Sequence, residues 1–201
     1  MKNVQTRSLK TQSRILDATR RLFEEKGCRN VTAEMIAQAS GVAKGTVFAH
    51  FQDKSNLIAA VGMEEMKAAM AQMQALASAE RNDTLANRVL RLFDPLLLFF
   101  SGNPDFAHLF INQSAFDQGP WSKQFQKSCQ QFEDSLAAYL IEEEIEDENI
   151  SVGLMTSGVQ AFFLQILTYR VAGWIETDQA AREKFRAYLD VWFRDAGGKI
   201  G

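Results

Sequence analysis

The stretch Thr32–Lys54, TAEMIAQASGVAKGTVFAHFQDK, decides how this chain is read. Ala37, Gly41 and Val47 stand at the spacing Ala-x3-Gly-x5-Val, and each residue type answers a mechanical need. Two helices that cross steeply through a short turn need a small side chain at the crossing, which Ala37 supplies. The turn needs a residue that accepts a left-handed backbone, and Gly41 does so without a Cβ clash. Val47 then faces back into the first helix. Thr32 has the chemistry of an N-cap, with Glu34 near the positive helix end. Met35 stands where a reciprocal capping box would need Glu. The stretch reads as a helix-turn-helix. An ordinary helical hairpin shares the bare spacing, but the second helix here exposes Lys44, Gly45, Thr46, Ala49 and His50. Such a small, polar surface can lie against phosphates and base edges.

The run GVAKGTVFAHF at 41–51, followed by Asp53-Lys54 and Leu57-Ile58, is similar to the DNA-binding signature of TetR-type (TetR/AcrR) one-component transcriptional regulators. The resemblance extends upstream through ILDA at 15–18 and LFEEKG at 22–27, about a quarter of the chain in all. Two positions depart from the pattern. Ala43 stands where the family often has Ser, and Phe48 where it usually has Tyr, so Phe48 has no hydroxyl to offer a phosphate. The resemblance implies a homodimeric repressor. It also implies a regulatory ligand bound among the middle helices of the body, which pushes the two heads out of register on DNA.

Charge along the chain agrees with a nucleic-acid partner. The formal net charge is −3, yet residues 1–56 hold 10 Lys/Arg against 5 Asp/Glu, and the remainder holds 12 against 20. The segment that must meet phosphates is positive and the body is acidic. Cys28 and Cys129 have no paired spacing, which leaves a disulfide framework or zinc site without support. No cofactor or metal is expected. The N-terminus lacks an apolar core for a signal peptide, and no apolar run is long enough to span a bilayer, so a soluble, cytoplasmic chain is expected.

The expected fold is all-α, with about nine helices: a three-helix DNA-binding head over 1–56 and a larger helical ligand-binding and dimerisation body over 57–201. Residues 1–8 lack periodicity and read as a loose arm. Leu9–Lys26 carries Ile15, Ala18, Leu22 and Phe23 at helical spacing and stops at Gly27. Asp53 or Ser55 can cap a long helix to about Ala79, which puts Lys54 at a helix start, where backbone amides and an ammonium together attract an anion. This helix leaves the head and enters the body. Asn82 or Asp83 opens the next helix, in which Pro95 predicts a kink near Arg91–Asp94. Gly102-Asn103-Pro104 breaks the chain before a short helix to about Ser114. A helix from Trp121 to about Glu146 follows, then an apolar helix over Ser151–Glu176, read as buried on most sides. Thr177 or Asp178 caps the last helix.

A helix over Ala43–His50 spans about 12 Å and touches few base pairs, so affinity calls for two copies. In a two-fold dimer the recognition helices enter successive major grooves of a palindromic duplex operator, roughly 34–36 Å apart. Lys44, Gly45, Thr46 and Val47 form the reading surface, with Lys44, Thr46 and Val47 as candidates for base edges. Thr32, His50 and Lys54 are candidates for phosphates. Phe93, Leu97, Phe106, Phe110, Trp121, Phe125 and Phe162 are candidates for the ligand wall. The aromatic stripe of the last two helices, Phe163, Ile166, Phe185, Tyr188, Leu189 and Trp192, is expected at a two-fold dimer interface. An enzyme is disfavoured: the two histidines are His50 in the motif and His108 in an apolar helix, and no phosphate loop or nucleophile elbow occurs. The competing reading is a dimeric DNA-binding protein without a small ligand, controlled by abundance or a protein partner.

Overall fold

The computed structural model describes residues 2–77, 83–112, 122–143 and 151–194. Among these the chain is helical throughout. The helices are α1 (Lys2–Lys26), α2 (Ala33–Ser40), α3 (Lys44–Phe51), α4 (Lys54–Ala77), α5 (Leu85–Gly102), α6 (Pro104–Asn112), α7 (Ser122–Glu142), α8 (Val152–Val171) and α9 (Asp178–Trp192), with a 3-10 turn at Cys28–Asn30.

Several boundaries differ from the sequence reading. The expected loose arm is helical from Lys2. Its side chains from Thr6 to Lys10 are exposed, and a helix that buries nothing carries no apolar period to betray it. The cap of α5 is Thr84, whose hydroxyl accepts from Asn87 N at 3.3 Å. Asp83 sits one residue upstream and accepts from Thr84 N at 2.8 Å; Asn82 lies outside the described residues. Hydrogen bonds to Asn87 and Arg91 hold the Asp83 carboxyl down at about 2. Helix α8 stops at Val171 rather than Glu176, because Gly173 N and Trp174 N turn back to Arg170 O (3.1 Å) and Tyr169 O (2.9 Å). Pro95 lies inside the continuous α5. Ser114, Trp121 and most of the acidic run after Glu143 lie outside the described residues, and the Phe125 side chain does too.

Two apolar cores organise the molecule. The head core holds Ile15, Leu16, Val31, Ile36, Ala37, Val47 and Phe51, together with Leu57, Ala60 and Val61 from the start of α4. The body core takes Ala59, Met63, Met66, Ala69 and Met73 from other faces of that helix and joins them to α5–α9. A cut at residue 56 would strip the head core of three members, so α4 belongs to both units. Gly62 sits at the crossover, where a Cβ would intrude on the Phe106 ring of α6. Only a bare backbone allows that approach.

Polar contacts tie head to body around this point. Arg20 of α1 reaches Glu64 at 2.5 Å and Glu65 at 3.9 Å. Arg29 stands 3.7 Å from Asp105 at the start of α6. Arg20, Glu65 and Asp105 border a cleft of about 580 Å³ that Phe23, Cys28, Gly62 and Phe106 also line. Burial, then the neighbouring Asp105, pushes the Cys28 thiol up to about 11, and burial raises the Glu65 carboxyl.

The expected dimer stripe is divided. Phe163, Ile166, Phe185 and Leu189 are each no more than 6% exposed and belong to the core of their own chain, since one side of the α9 stripe packs on α5 and α8. Tyr188 and Trp192 are half-buried. Helix α8 is not buried on most sides. It has length and composition enough to cross a bilayer, but a third of that apolar window is buried inside the chain. Its outer face shows Leu154 and Leu164, and α9 exposes Val191.

Gly62→Ala is expected to cost about 1–3 kcal/mol through overpacking against Phe106, lowering the melting temperature by several degrees for a chain of this size. Adding Phe106→Leu should recover part of the loss. A calorimetric melt at the wild-type temperature would show that the approach is not tight.

Candidate nucleic-acid interface

The head presents α3 by fixing its inner face. Val47 (1% exposed) and Phe51 (0%) point into the core, so Val47 is a packing residue and is not available to a base edge. Helix α2 is capped by Thr32, whose hydroxyl accepts from Met35 N at 3.3 Å. It ends at Gly41, φ 66°, ψ 37°. Gly41 N and Val42 N close the turn on Gln38 O and Ala37 O. These bonds set the crossing of α2 and α3.

The outer face of α3 follows from 100° per residue. Gly45 and Ala49 lie at its centre and are exposed, with Thr46 beside them. A Cβ at Gly45 would meet nothing within 4 Å. Lys44 and Phe48 form one flank and the half-buried His50 the other. Phe48 is 41% exposed. The Lys44 ammonium lies 5.7 Å from the centre of its ring and is ion-paired with Glu34 of α2. That ammonium, hydrogen-bonded to it, holds the Glu34 carboxyl below the usual carboxylate range. A helix with small residues at its centre and polar groups at its margins can approach a groove closely.

Lys54 begins α4. Its ammonium donates to Arg29 O at 3.3 Å, which draws it over the 3-10 turn at Cys28–Asn30. Asp53 supports this helix start, its Oδ1 accepting from Asn56 N at 2.8 Å. Between α3 and α4 the chain passes Gln52 at φ 63°, an unusual conformation for a residue with a Cβ. Thr32, Lys44, Gly45, Thr46, His50 and Lys54 thus come from three helix starts and one outer helix face.

The expected ligand wall fares differently. Phe93 (1% exposed), Leu97 (1%) and Phe106 (2%) are filled core; Phe93 meets Phe132, Phe163 and Phe185 with ring centres 4.8–5.3 Å apart. Phe110 packs on Phe100, and Phe162 on Tyr188 and Trp192. Trp121 and the Phe125 side chain lie outside the described residues. A cavity of about 470 Å³ opens instead between α4, α5 and α7, lined by Met73, Gln74, Ala77, Leu92, Ser135, Ala138, Tyr139 and Glu142. Burial raises the Tyr139 phenol, and the Arg88–Glu143 ion pair lies next to it. Of this wall only Met73 stands in a sequence pattern, the methionines at 63, 66, 70 and 73 spaced three and four apart, and the polar members offer none.

Residues 15–61 match the family model for bacterial regulatory proteins of the tetR family. The HTH-type transcriptional regulator UidR of Escherichia coli is 32% identical over 74 residues, 37% of this chain and 38% of that protein. The HTH-type transcriptional repressor AcnR of Corynebacterium diphtheriae is 36% identical over 86 residues, 37% of this chain and 45% of that protein. The match therefore spans less than half the length of these two relatives. The fold extends further. FadR of Thermus thermophilus, solved with lauroyl-CoA, superposes with a TM-score of 0.65 over 94% of this chain and 95% of its own, at 18% identity. FadR of Bacillus subtilis, solved with stearoyl-CoA, gives 0.63 over 90% and 97%, at 16% identity. Over residues 15–61 the head is thus similar to the tetR family's DNA-binding segment, and the chain as a whole has the all-helical fold of solved structures described as TetR-family regulators.

Proposed function

We propose that this chain is a sequence-specific DNA-binding regulator, a homodimeric repressor released from a palindromic operator by a small, largely apolar or aromatic ligand. The observation that carries the DNA reading is the outer face of α3, with Gly45, Thr46 and Ala49 between Lys44 and His50, held rigid by Val47 and Phe51 beneath it. Lys44 and Thr46 read base edges. Thr32 and Lys54 meet phosphates beside the N-termini of α2 and α4, which favour anions, and His50 does so from the last turn of α3.

A second copy is needed because eight residues of α3 cover only a few base pairs. The exposed Leu154, Leu164 and Val191, flanked by Tyr188 and Trp192, support a two-fold contact between the α8–α9 faces. The volume and mixed lining of the α4–α5–α7 cavity suit a drug-sized ligand with an apolar body and one polar end. Met73 and Gln74 at that cavity and Lys54 at the DNA end share α4, roughly 28 Å apart along its axis. A ligand that favours a different tilt of α4 weakens DNA binding by its differential affinity for the two arrangements.

Selection from a random duplex pool should recover a palindrome with half-sites about one helical turn apart, and Lys44→Ala should relax or lose it. Binding that enriches no sequence and fades with salt would sink the regulator reading. On the selected duplex, Gly45→Ala should weaken binding, since its methyl stands between helix and groove. Its melting temperature should hold or rise, because the site is open and alanine favours a helix by up to about 1 kcal/mol. Val47→Ala should instead lower the melting temperature, at about 1–3 kcal/mol for lost core. Lauroyl-CoA, free fatty acids and neutral aromatic compounds, screened by thermal shift, should include a stabilising ligand that also releases the operator. A stabilising ligand that leaves operator affinity unchanged would separate the cavity from regulation.

A further inference from the structure

Between Thr32 and Gln52 the sequence holds one carboxylate, Glu34, and one Lys or Arg, Lys44. The fold puts the two together across the helix-turn-helix, from the first turn of α2 to the first turn of α3, although they lie ten residues apart in sequence. Glu34 lies in the first turn of α2, two residues after the Thr32 cap, and accepts the Lys44 ammonium from there. Lys44 is further confined by the Phe48 ring at 5.7 Å. The pair is open to water, with side-chain exposures of 52% for Lys44 and 62% for Glu34.

We infer that Glu34 is a positioning residue for Lys44 that sets specificity, withholding this cation from random phosphates and releasing it only to a base edge. The inference rests on the DNA-binding reading above. Nonspecific binding is driven by counterion release, and each protein cation that neutralises a phosphate adds about 0.9 to the salt slope. A lysine neutralised by its own carboxylate adds none. An exposed ion pair is weak, so a well-placed acceptor displaces it at little cost. Guanine O6 and N7 in the major groove are such an acceptor, fixed in direction and present only at the right base pair. A phosphate on random sequence carries two anionic oxygens, but in loose nonspecific docking no other contact holds it at a fixed place relative to Lys44, and the Glu34 carboxylate competes with it. Lys44 is therefore paired within the protein on random DNA and paired with a base edge on its operator.

The test measures affinity against salt for wild type, Glu34→Gln, Lys44→Gln and the double variant, on the selected operator and on a shuffled duplex. Gln keeps the anchoring hydrogen-bond capacity and removes the charge, and thermal melts confirm that each variant is folded. Glu34→Gln should steepen the slope on shuffled DNA by about 0.9 per protomer, raise affinity there about two- to five-fold at low salt, and leave the operator slope unchanged. In the Lys44→Gln background the same substitution should not change the shuffled-DNA slope. Three results overturn the inference: no steepening on shuffled DNA, equal steepening on both duplexes, or steepening that persists without Lys44. The last would mean that Glu34 repels DNA directly. A wild-type protein that enriches no operator at all overturns the regulator reading itself, which keeps the two failures apart.

Discussion

Everything in this molecule hangs on one helix being buried twice. Leu57, Ala60 and Val61 of α4 complete the head core, while Ala59, Met63, Met66, Ala69 and Met73 sit in the body core. A helix normally offers one apolar stripe to one partner. Helix α4 offers two, rotated about its axis and overlapping near Gly62, where the missing side chain lets the Phe106 ring close in. The position of α3 is thereby referred to the body through packed side chains, which resist gradual deformation.

The joint around that point differs in character from either core. Arg20, Glu64 and Glu65 on one side and Arg29 and Asp105 on the other are partly exposed ion pairs, of a kind that holds weakly and re-forms easily. Arg20, Glu65 and Asp105 among them border a cleft rather than a packed seam. An apolar pivot ringed by weak polar contacts is suited to small changes of angle. A continuous apolar interface would fix one angle and no other.

The head was more legible in the sequence than the body, for a physical reason. A helix-turn-helix is a local motif, and Ala37, Gly41 and Val47 carry its geometry within a dozen residues. Even there the sequence did not decide between two roles for Val47, inward packing and base contact; its 1% exposure did. In the body, periodicity tells which residues share a face but not which neighbour covers it. Phe163, Ile166, Phe185 and Leu189 looked like an interface because their stripe is wide, yet α5 and the chain's other helices take them up. Phe93 looked like a cavity wall because aromatic clusters read the same whether they fill space or line it. The lining of the observed cavity includes Gln74, Ser135 and Glu142, residues that resemble any solvated helix surface until three helices bring them together.

Gly45 and Ala49 sit at the centre of the exposed face of α3 with little beneath them to disturb, whereas Val47 and Phe51 on the opposite face are locked in the core. Mutational freedom on this helix is therefore split by side. Changes on the outer side alter the surface that α3 presents without asking the fold to repack. On the proposed DNA-reading role, a lineage carrying this head can drift from one target sequence to another in single steps, each intermediate still folded. The inner side stays nearly fixed, and divergence of sequence on α3 should trace the history of its targets rather than of its stability.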